Sequence, residues 1–193
     1  MHNERCTSGS ARGQTKPLVE RLIRRVCPTQ PYIWTGQGWL YLAIVLDLFS
    51  RRVVGWSMAL SLERTLVIDV LQMAIAARDP AKGLIHHSDR GSHGAARRYA
   101  SYDYQDILQQ KGIVGSMSRR GNCYDNAPTE SWFATLKREL VYRTTYLTHA
   151  EARQHIFKYI EVWYNRQRKH SAIGYKSPVA YEKQWRNLTT KAA

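Results

Sequence analysis

Three β-prone runs joined by short turns lie between residues 32 and 58, and they require a fold that contains an antiparallel sheet. The runs cover residues 32–35, 39–46 and 52–58, and they are rich in β-branched and aromatic side chains. The first turn is Gly36-Gln37-Gly38, and the second contains residues 47–50. The pattern therefore predicts a three-stranded antiparallel meander.

Helical and strand-like segments alternate after this meander. Apolar residues recur at three- and four-residue spacing over 66–75, which predicts a helix that Asp79-Pro80 ends. Residues 84–87 are predicted to form a buried strand, 102–111 a helix, and 113–114 the start of another strand. The alternation predicts an α/β fold, with a mixed sheet that opens with an antiparallel meander and is flanked by helices.

The last third of the chain is predicted to be helical. One helix covers residues 129–142, and Thr148 and Glu151 form a capping box that begins the next. An apolar stripe at helical spacing follows this box and consists of Ala152, Ile156, Tyr159, Ile160 and Trp163. The tryptophans at positions 39, 56 and 163 are predicted to pack in the core.

The charge balance indicates a polyanionic partner. The chain has 29 Lys and Arg against 15 Asp and Glu, which gives a net charge of +14 with His neutral. Its longest apolar run, residues 39–46, is too short to cross a membrane, and no secretory signal follows the N-terminus. Three scattered cysteines without a CxxC pair indicate a reducing cytosol. These observations favour nucleic acid as the partner.

Two carboxylates and a lysine are the candidates for chemistry. Asp89 follows the predicted strand 84–87, and Glu130 lies in the first turn of the predicted helix 129–142. Carboxylates from two elements can bind Mg²⁺, and Lys137, two helical turns after Glu130, could contact a DNA phosphate beside the ion. The same residues also fit simpler roles, since Asp89 could begin a loop and Glu130 could complement a helix N-terminus.

Four long strings in the sequence are distinctive: WTGQGWLYLAIVLDLFSRRVVGWSM, LIHHSDRGS, MSRRGNCYDNAPTESWFATLKREL and YIEVWYNRQRKHSAIGYKSPVAYE. Together they resemble the catalytic core of bacterial insertion-sequence transposases related to retroviral integrases. The resemblance implies a ribonuclease-H-like fold and an Asp-Asp-Glu triad with a two-ion Mg²⁺ or Mn²⁺ site. It further implies that Asp89 is the second triad Asp, that Glu130 is the triad Glu, and that Lys137 contacts DNA.

The chain departs from this family at the first triad position. Members carry an Asp in a TDITY-like segment, and Thr29 stands at that position, between Pro28 and Pro31. A neutral hydroxyl cannot replace a carboxylate that bridges two Mg²⁺ ions, and Asp47 is the nearest alternative in the sequence. A second departure is an insertion at residues 93–98, where members tend to have a single residue.

The resemblance implies DNA transposition, by metal-dependent strand cleavage and strand transfer at insertion-sequence ends. The alternative, which Thr29 favours, is a catalytically dead DNA-binding remnant, so whether the chain is an enzyme stays open. Expected partners are insertion-sequence and target DNA and further copies of the chain, with no membrane. The expected location is the bacterial cytoplasm, in association with the nucleoid.

Three regions are predicted along the chain. Residues 1–27 are expected to be an unmatched, disordered basic tail from a disrupted start, with two helical turns over 18–26. The integrase-type core is expected at 28–183, and a basic C-terminal tail at 184–193.

A basic helix end and two histidines complete the candidates. Asn165, Arg166, Arg168, Lys169 and His170 form the basic helix end. Its predicted DNA contacts are Arg166, Arg168 and Lys169, although a solvated face is the competing interpretation. The adjacent His86 and His87 are predicted to pack or to form hydrogen bonds, because neighbouring strand residues point to opposite faces.

Overall fold

The computed structural model describes residues 24–27, 32–88, 99–117 and 127–191, with residues 24–27 described by their backbone. The strands are β1 (Arg24–Cys27), β2 (Tyr32–Thr35), β3 (Gly38–Asp47), β4 (Val53–Ala59), β5 (Ile85–Ser88) and β6 (Val114–Met117). The α-helices are α1 (Arg64–Arg78), α2 (Tyr102–Gln110), α3 (Ala127–Glu139), α4 (His149–Lys158) and α5 (Pro178–Lys191). A π-helical turn, Tyr159–Tyr164, continues α4, and two short 3₁₀ turns cover Val141–Arg143 and Ser171–Ile173.

The strands form one mixed sheet with the order β4–β3–β1–β5–β6. β3 pairs antiparallel with β4 on one edge, and with β1 and β2 in succession on the other. β1, β5 and β6 run parallel to one another. The predicted meander is confirmed as β2, β3 and β4, and the predicted elements from residue 66 to residue 114 are confirmed as α1, β5, α2 and β6.

The helix predicted over residues 18–26 is wrong for its last three residues. Residues Arg24–Cys27 form β1, which lies between β3 and β5. Two turns of helix have little stability alone, whereas a strand in this position gains main-chain hydrogen bonds on both edges. The ordered sheet therefore begins before residue 28, the predicted start of the core.

Helices cover both faces of the sheet. Leu40, Leu42, Ile44 and Leu46 of β3 face α3, α4 and the π-helical turn, whereas Ala43 and Val45 face α1 and α2. Both faces of β3 are thus buried, which explains its nearly continuous apolar sequence. β4 and α1 pack closely at Gly55, where an added Cβ would lie 2.4 Å from the carbonyl oxygen of Val70 in α1. Only glycine allows the strand and the helix to approach this closely.

The π-helical turn changes the apolar stripe that the sequence predicts. Ala152, Ile156, Tyr159 and Ile160 are buried as expected, but Trp163 is 45% exposed, and Tyr164 is buried in its place. The N–H of Asn165 donates to the Ile160 carbonyl five residues earlier, and this wider turn rotates the following residues. Trp39 is also largely exposed, at 47%, so the core prediction is wrong for both tryptophans.

The C-terminal segment also differs from its prediction. Residues 184–191 continue α5 rather than forming a tail. Thr148 begins α4 as predicted, and its hydroxyl accepts a hydrogen bond from the Glu151 N–H at 3.1 Å. In the part of the chain that the structure describes, no helix is both long and apolar enough to cross a membrane.

Candidate active site

Glu130 lies in the first turn of α3 with its side chain exposed. The helix buries Thr129, Trp132, Phe133 and Leu136, whose three- and four-residue spacing defines the face that packs on the sheet. Glu130 lies outside this face. Lys137 follows two turns later on the same flank and is half-buried. The structure therefore places the predicted carboxylate and lysine on one accessible side of α3.

The other two triad positions lie outside the described residues. Asp89 directly follows β5, which ends at Ser88, and Thr29 follows β1 by two positions. β1 and β5 are parallel neighbours, with Val26 level with Ser88, so both strands end at the same edge of the sheet. The insertion at residues 93–98 is outside the described residues as well.

Asp47 is buried in an ion network at the opposite end of β1. It lies level with Arg24, at the start of β1, whereas the strand runs towards Cys27. One carboxylate oxygen accepts from the Phe49 N–H at 2.9 Å, and the other lies 3.3 Å from an Arg78 nitrogen. These partners occupy both oxygens, so the structure gives no support to Asp47 as a replacement metal ligand.

The basic helix end is divided between buried and exposed side chains. Asn165 is buried, and its amide exchanges two 3.0 Å hydrogen bonds with the Val53 backbone, so the interpretation as part of a solvated basic face is wrong for this residue. Arg166 and Lys169 are exposed, as the prediction of DNA contacts requires. Arg168 pairs with Glu139 at 3.0 Å and lies over the Tyr164 ring.

Burial and the Arg168–Glu139 pair together shift the pKa values of Glu139 and His170. Burial raises the pKa of Glu139, but hydrogen bonds from Arg168 and Tyr159 outweigh it and leave the pKa below its usual value. Burial, together with the nearby charges of Arg168 and Arg51, lowers the pKa of His170 to about 4. His170 is therefore a neutral imidazole near pH 7.

A cavity of about 610 Å³ lies beside α3 and was not predicted from the sequence. Ser131, the residue after Glu130, lines it together with Arg138, and Arg51 enters from the turn between β3 and β4. Lys169 and His170 of the basic helix end complete its polar wall. These residues are up to 119 positions apart, so no local periodicity could have grouped them.

The predicted packing role of His86 and His87 is confirmed. Both side chains are buried. The His86 Nε2 lies 2.6 Å from the Tyr104 hydroxyl of α2, and the His87 Nδ1 lies 3.1 Å from the Ser116 hydroxyl of β6. Within the described ranges, no group of three or more His, Cys, Asp or Glu side chains could hold a metal ion.

Comparison with known families agrees with this architecture. Two family models, each described as an integrase core domain, match residues 28–123 and 111–178. The catalytic core of BIV integrase has a TM-score of 0.58 at 16% identity, covering 88% of this chain and 98% of that one. The HTLV-2 integrase catalytic core, solved in complex with magnesium, has a TM-score of 0.59 at 14% identity, covering 83% and 97%. The chain therefore belongs to the integrase core domain family, and the predicted ribonuclease-H-like fold is confirmed.

Its curated relatives within that family are bacterial insertion-sequence proteins, as the sequence resemblance predicted. The transposase for insertion sequence element IS904 of Lactococcus lactis subsp. lactis strain IL1403 is 45% identical over 172 residues, covering 86% of this chain and 66% of that protein. Transposase InsF for insertion sequence IS3A of Escherichia coli strain K12 is 44% identical over 151 residues, covering 78% and 51%. The chain thus spans between about half and two thirds of the length of these two relatives.

Proposed function

We propose that this chain acts in DNA transposition, as the core that binds insertion-sequence ends and target DNA in the bacterial cytoplasm. The observation that carries the proposal is the exposed Glu130 on the first turn of α3, in a chain that belongs to the integrase core domain family. Lys137, Arg166, Arg168 and Lys169 are proposed to contact DNA phosphates, and further copies of the chain are proposed to assemble on paired ends. The net charge of +14 supports a DNA partner.

The chemistry of the donor set fits one divalent ion better than two. Asp89 and Glu130 supply the hard oxygen ligands that Mg²⁺ prefers, and one or two carboxylates together with substrate phosphates suffice for a single Mg²⁺. Thr29 supplies no charge, so a pair of ions would lack its third carboxylate. A bound ion would stabilise the charge that develops on the phosphate during strand cleavage and strand transfer. Lys137 and its basic neighbours would hold the DNA strand in register.

A DNA-binding protein without cleavage activity is the second candidate function. The residue at position 29 is the observation that favours it, because a threonine hydroxyl stays neutral where the family resemblance implies a catalytic carboxylate. Such a protein would retain the sheet, the helices and the basic surface.

Plasmid nicking in Mn²⁺ or Mg²⁺ separates these two functions. A chain that cleaves DNA should nick the plasmid with Thr29 in place. A DNA-binding protein that lacks only the first carboxylate should not nick it, and its nicking should rise by at least about 100-fold in Thr29→Asp, which is the order of magnitude of one electrostatic contribution to catalysis. Glu130→Gln in either background removes a carboxylate without changing its size, and it should abolish nicking. The initial rate of conversion of supercoiled to open-circular plasmid measures each effect.

Three outcomes of this assay have different meanings. Nicking by the unaltered chain that disappears in Glu130→Gln would support transposase chemistry with Thr29 in place. Rescue by Thr29→Asp alone would support the DNA-binding protein and show that the remaining ligands are competent. Nicking that persists in Glu130→Gln would contradict the proposed site, because it would come from elsewhere.

A further inference from the structure

The cavity beside α3 carries an excess of positive charge. Arg51, Arg138 and Lys169 line it, and the side chains of all three make no hydrogen bond or ion pair with the described residues. Arg168 also lines it, but its charge is balanced by Glu139. Among the described residues, no carboxylate lines the cavity. Three cations on one concave surface, without a counter-charge in that part of the chain, favour the binding of an anion.

Two residues that line the cavity also have buried N–H groups without a hydrogen-bond acceptor among the described residues. Trp132 lines the cavity and is 3% exposed, and its indole Nε1 has no hydrogen-bond partner among the described residues. The Nε2 of His170 is likewise buried without a partner in the described part of the chain. Buried donors without partners are uncommon in folded proteins, and a bound ligand is one explanation for them.

The hydrogen bonding of His170 determines which of its nitrogens carries the proton. Its Nδ1 lies 3.1 Å from the Arg168 Nη1, and a guanidinium can only donate, so Nδ1 accepts. The imidazole is neutral near pH 7, because burial and the nearby arginine charges lower its pKa to about 4. The proton therefore lies on Nε2, which is a donor and suits an oxyanion.

Helix α3 contributes residues both to the cavity and to the candidate active site. Ser131, Thr135 and Arg138 line it at helical spacing, on the flank of α3 next to the flank of Glu130 and Lys137. Arg138 lies eight residues after Glu130, which is about 12 Å along the helix axis at 1.5 Å per residue. Phosphates of one DNA strand advance about 3.4 Å per nucleotide along the duplex, so this distance corresponds to three or four nucleotides.

We propose that this cavity binds a backbone phosphodiester of DNA, a few nucleotides from the phosphate at Glu130. Arg51, Arg138 and Lys169 supply the charge, and Trp132 and His170 form the adjoining wall of the cavity. The proposal rests on the proposed function for the identity of the polyanion. It assigns Arg51, Arg138 and His170 to DNA binding, in addition to the contacts inferred from the basic helix end.

Binding of a 20-base-pair duplex in EDTA tests the proposal without any need for cleavage. The double variant Arg51→Gln/Arg138→Gln removes two charges from the cavity wall that the basic helix end does not supply, and Lys183→Gln/Arg186→Gln removes two exposed charges from α5 as the matched control. We expect the cavity variant to weaken binding about 10-fold or more and to lower the slope of log Kd against log salt by about one, because the cavity is proposed to hold one phosphodiester. The control should change both values by much less.

Histidine titration by NMR gives a second, independent measurement. A phosphate beside His170 favours the charged imidazole, so bound duplex should raise the His170 pKa from its low value, while His155, which lies outside the cavity, serves as the reference.

Equal weakening by the cavity and control variants, with no change at His170, would overturn the proposal. Thermal melts of all variants check that the fold is retained. Because Asp89, Glu130 and Thr29 are unaltered, loss of binding here is distinguishable from a failure of the nicking assay.

Discussion

Arg78→Met is expected to destabilise the protein by about 3–5 kcal/mol, because the buried Asp47 carboxylate loses its Arg78 partner and Glu182 loses one of its two arginine partners. Arg78 joins Asp47 of β3 to Glu182 of α5, and Arg52 also pairs with Glu182, at 2.9 Å. The side chains of Arg78, Asp47 and Glu182 are 12%, 2% and 8% exposed, so water cannot replace the lost charge. Urea unfolding followed by circular dichroism measures the change in the free energy of unfolding.

The loss of stability in Arg78→Met is expected to depend on pH. Burial raises the pKa of Glu182, but hydrogen bonds from Arg78 and other neighbours outweigh it, so the folded-state pKa lies below the unfolded value. Its contribution to stability is therefore complete above the unfolded pKa and is lost as pH falls through the folded pKa. Arg78→Met removes the main hydrogen-bond donor and charge that lower the Glu182 pKa, so this pKa should rise in the folded variant. The variant and the unaltered chain should thus differ less at pH 4.5 than at pH 7.

Arg64→Met is the matched control for Arg78→Met, since both arginines lie on α1 and both pair with carboxylates. The Arg64–Asp103 pair is 64% and 53% exposed, and exposed pairs contribute about 0–1 kcal/mol. If Arg78→Met costs no more than Arg64→Met, the buried network does not stabilise the connection between β3 and α5.

Asn165→Asp is expected to cost about 3 kcal/mol or more at pH 7, although it changes only one atom of the side-chain amide. The Asn165 Nδ2 donates to the Val53 carbonyl and Oδ1 accepts from the Val53 N–H, both at 3.0 Å. A carboxylate retains the second bond but places an oxygen against the carbonyl, which leaves a buried acceptor unsatisfied and buries a charge. Thermal unfolding measures the loss.

Protonation of the introduced carboxyl would restore a donor, so the stability of this variant should recover as pH falls. Asn187→Asp, at an exposed position on α5, is the matched control and should change stability by no more than about 0.5 kcal/mol. An Asn165→Asp variant as stable as the control at pH 7 would contradict the structural role assigned to Asn165.

The sequence predicted the secondary structure well wherever local periodicity and tertiary packing agree. The meander was predictable because its strands are sequential and its turns are short. β1 was not, because it is extended only through pairing with β3 and the more distant β5, whereas its local sequence predicts a short helix. The π-helical turn escaped prediction for a related reason, since a single wide turn shifts the buried face from Trp163 to Tyr164 without any local signal.

The candidate site was predictable to a lesser extent. The position of Glu130 near a helix start was predicted from the sequence, and its catalytic role is a prediction from the family resemblance. The cavity beside α3 could not be found in this way, because its cations come from the turn after β3, from α3 and from the segment after the π-helical turn. Charge alone also misassigned Asn165, whose burial depends on a contact with a strand 112 positions earlier.

β1 has a consequence for how copies of this chain could combine. Among the described strands, it alone connects β3 and its partners to β5 and β6. A chain cut before Pro28, where the family match begins, would lack this strand and present two unpaired edges facing one gap. The gap is only one strand wide, so a strand donated by another molecule could fill it through main-chain hydrogen bonds alone. Truncation at that boundary would thus convert a self-contained sheet into an acceptor for strand exchange.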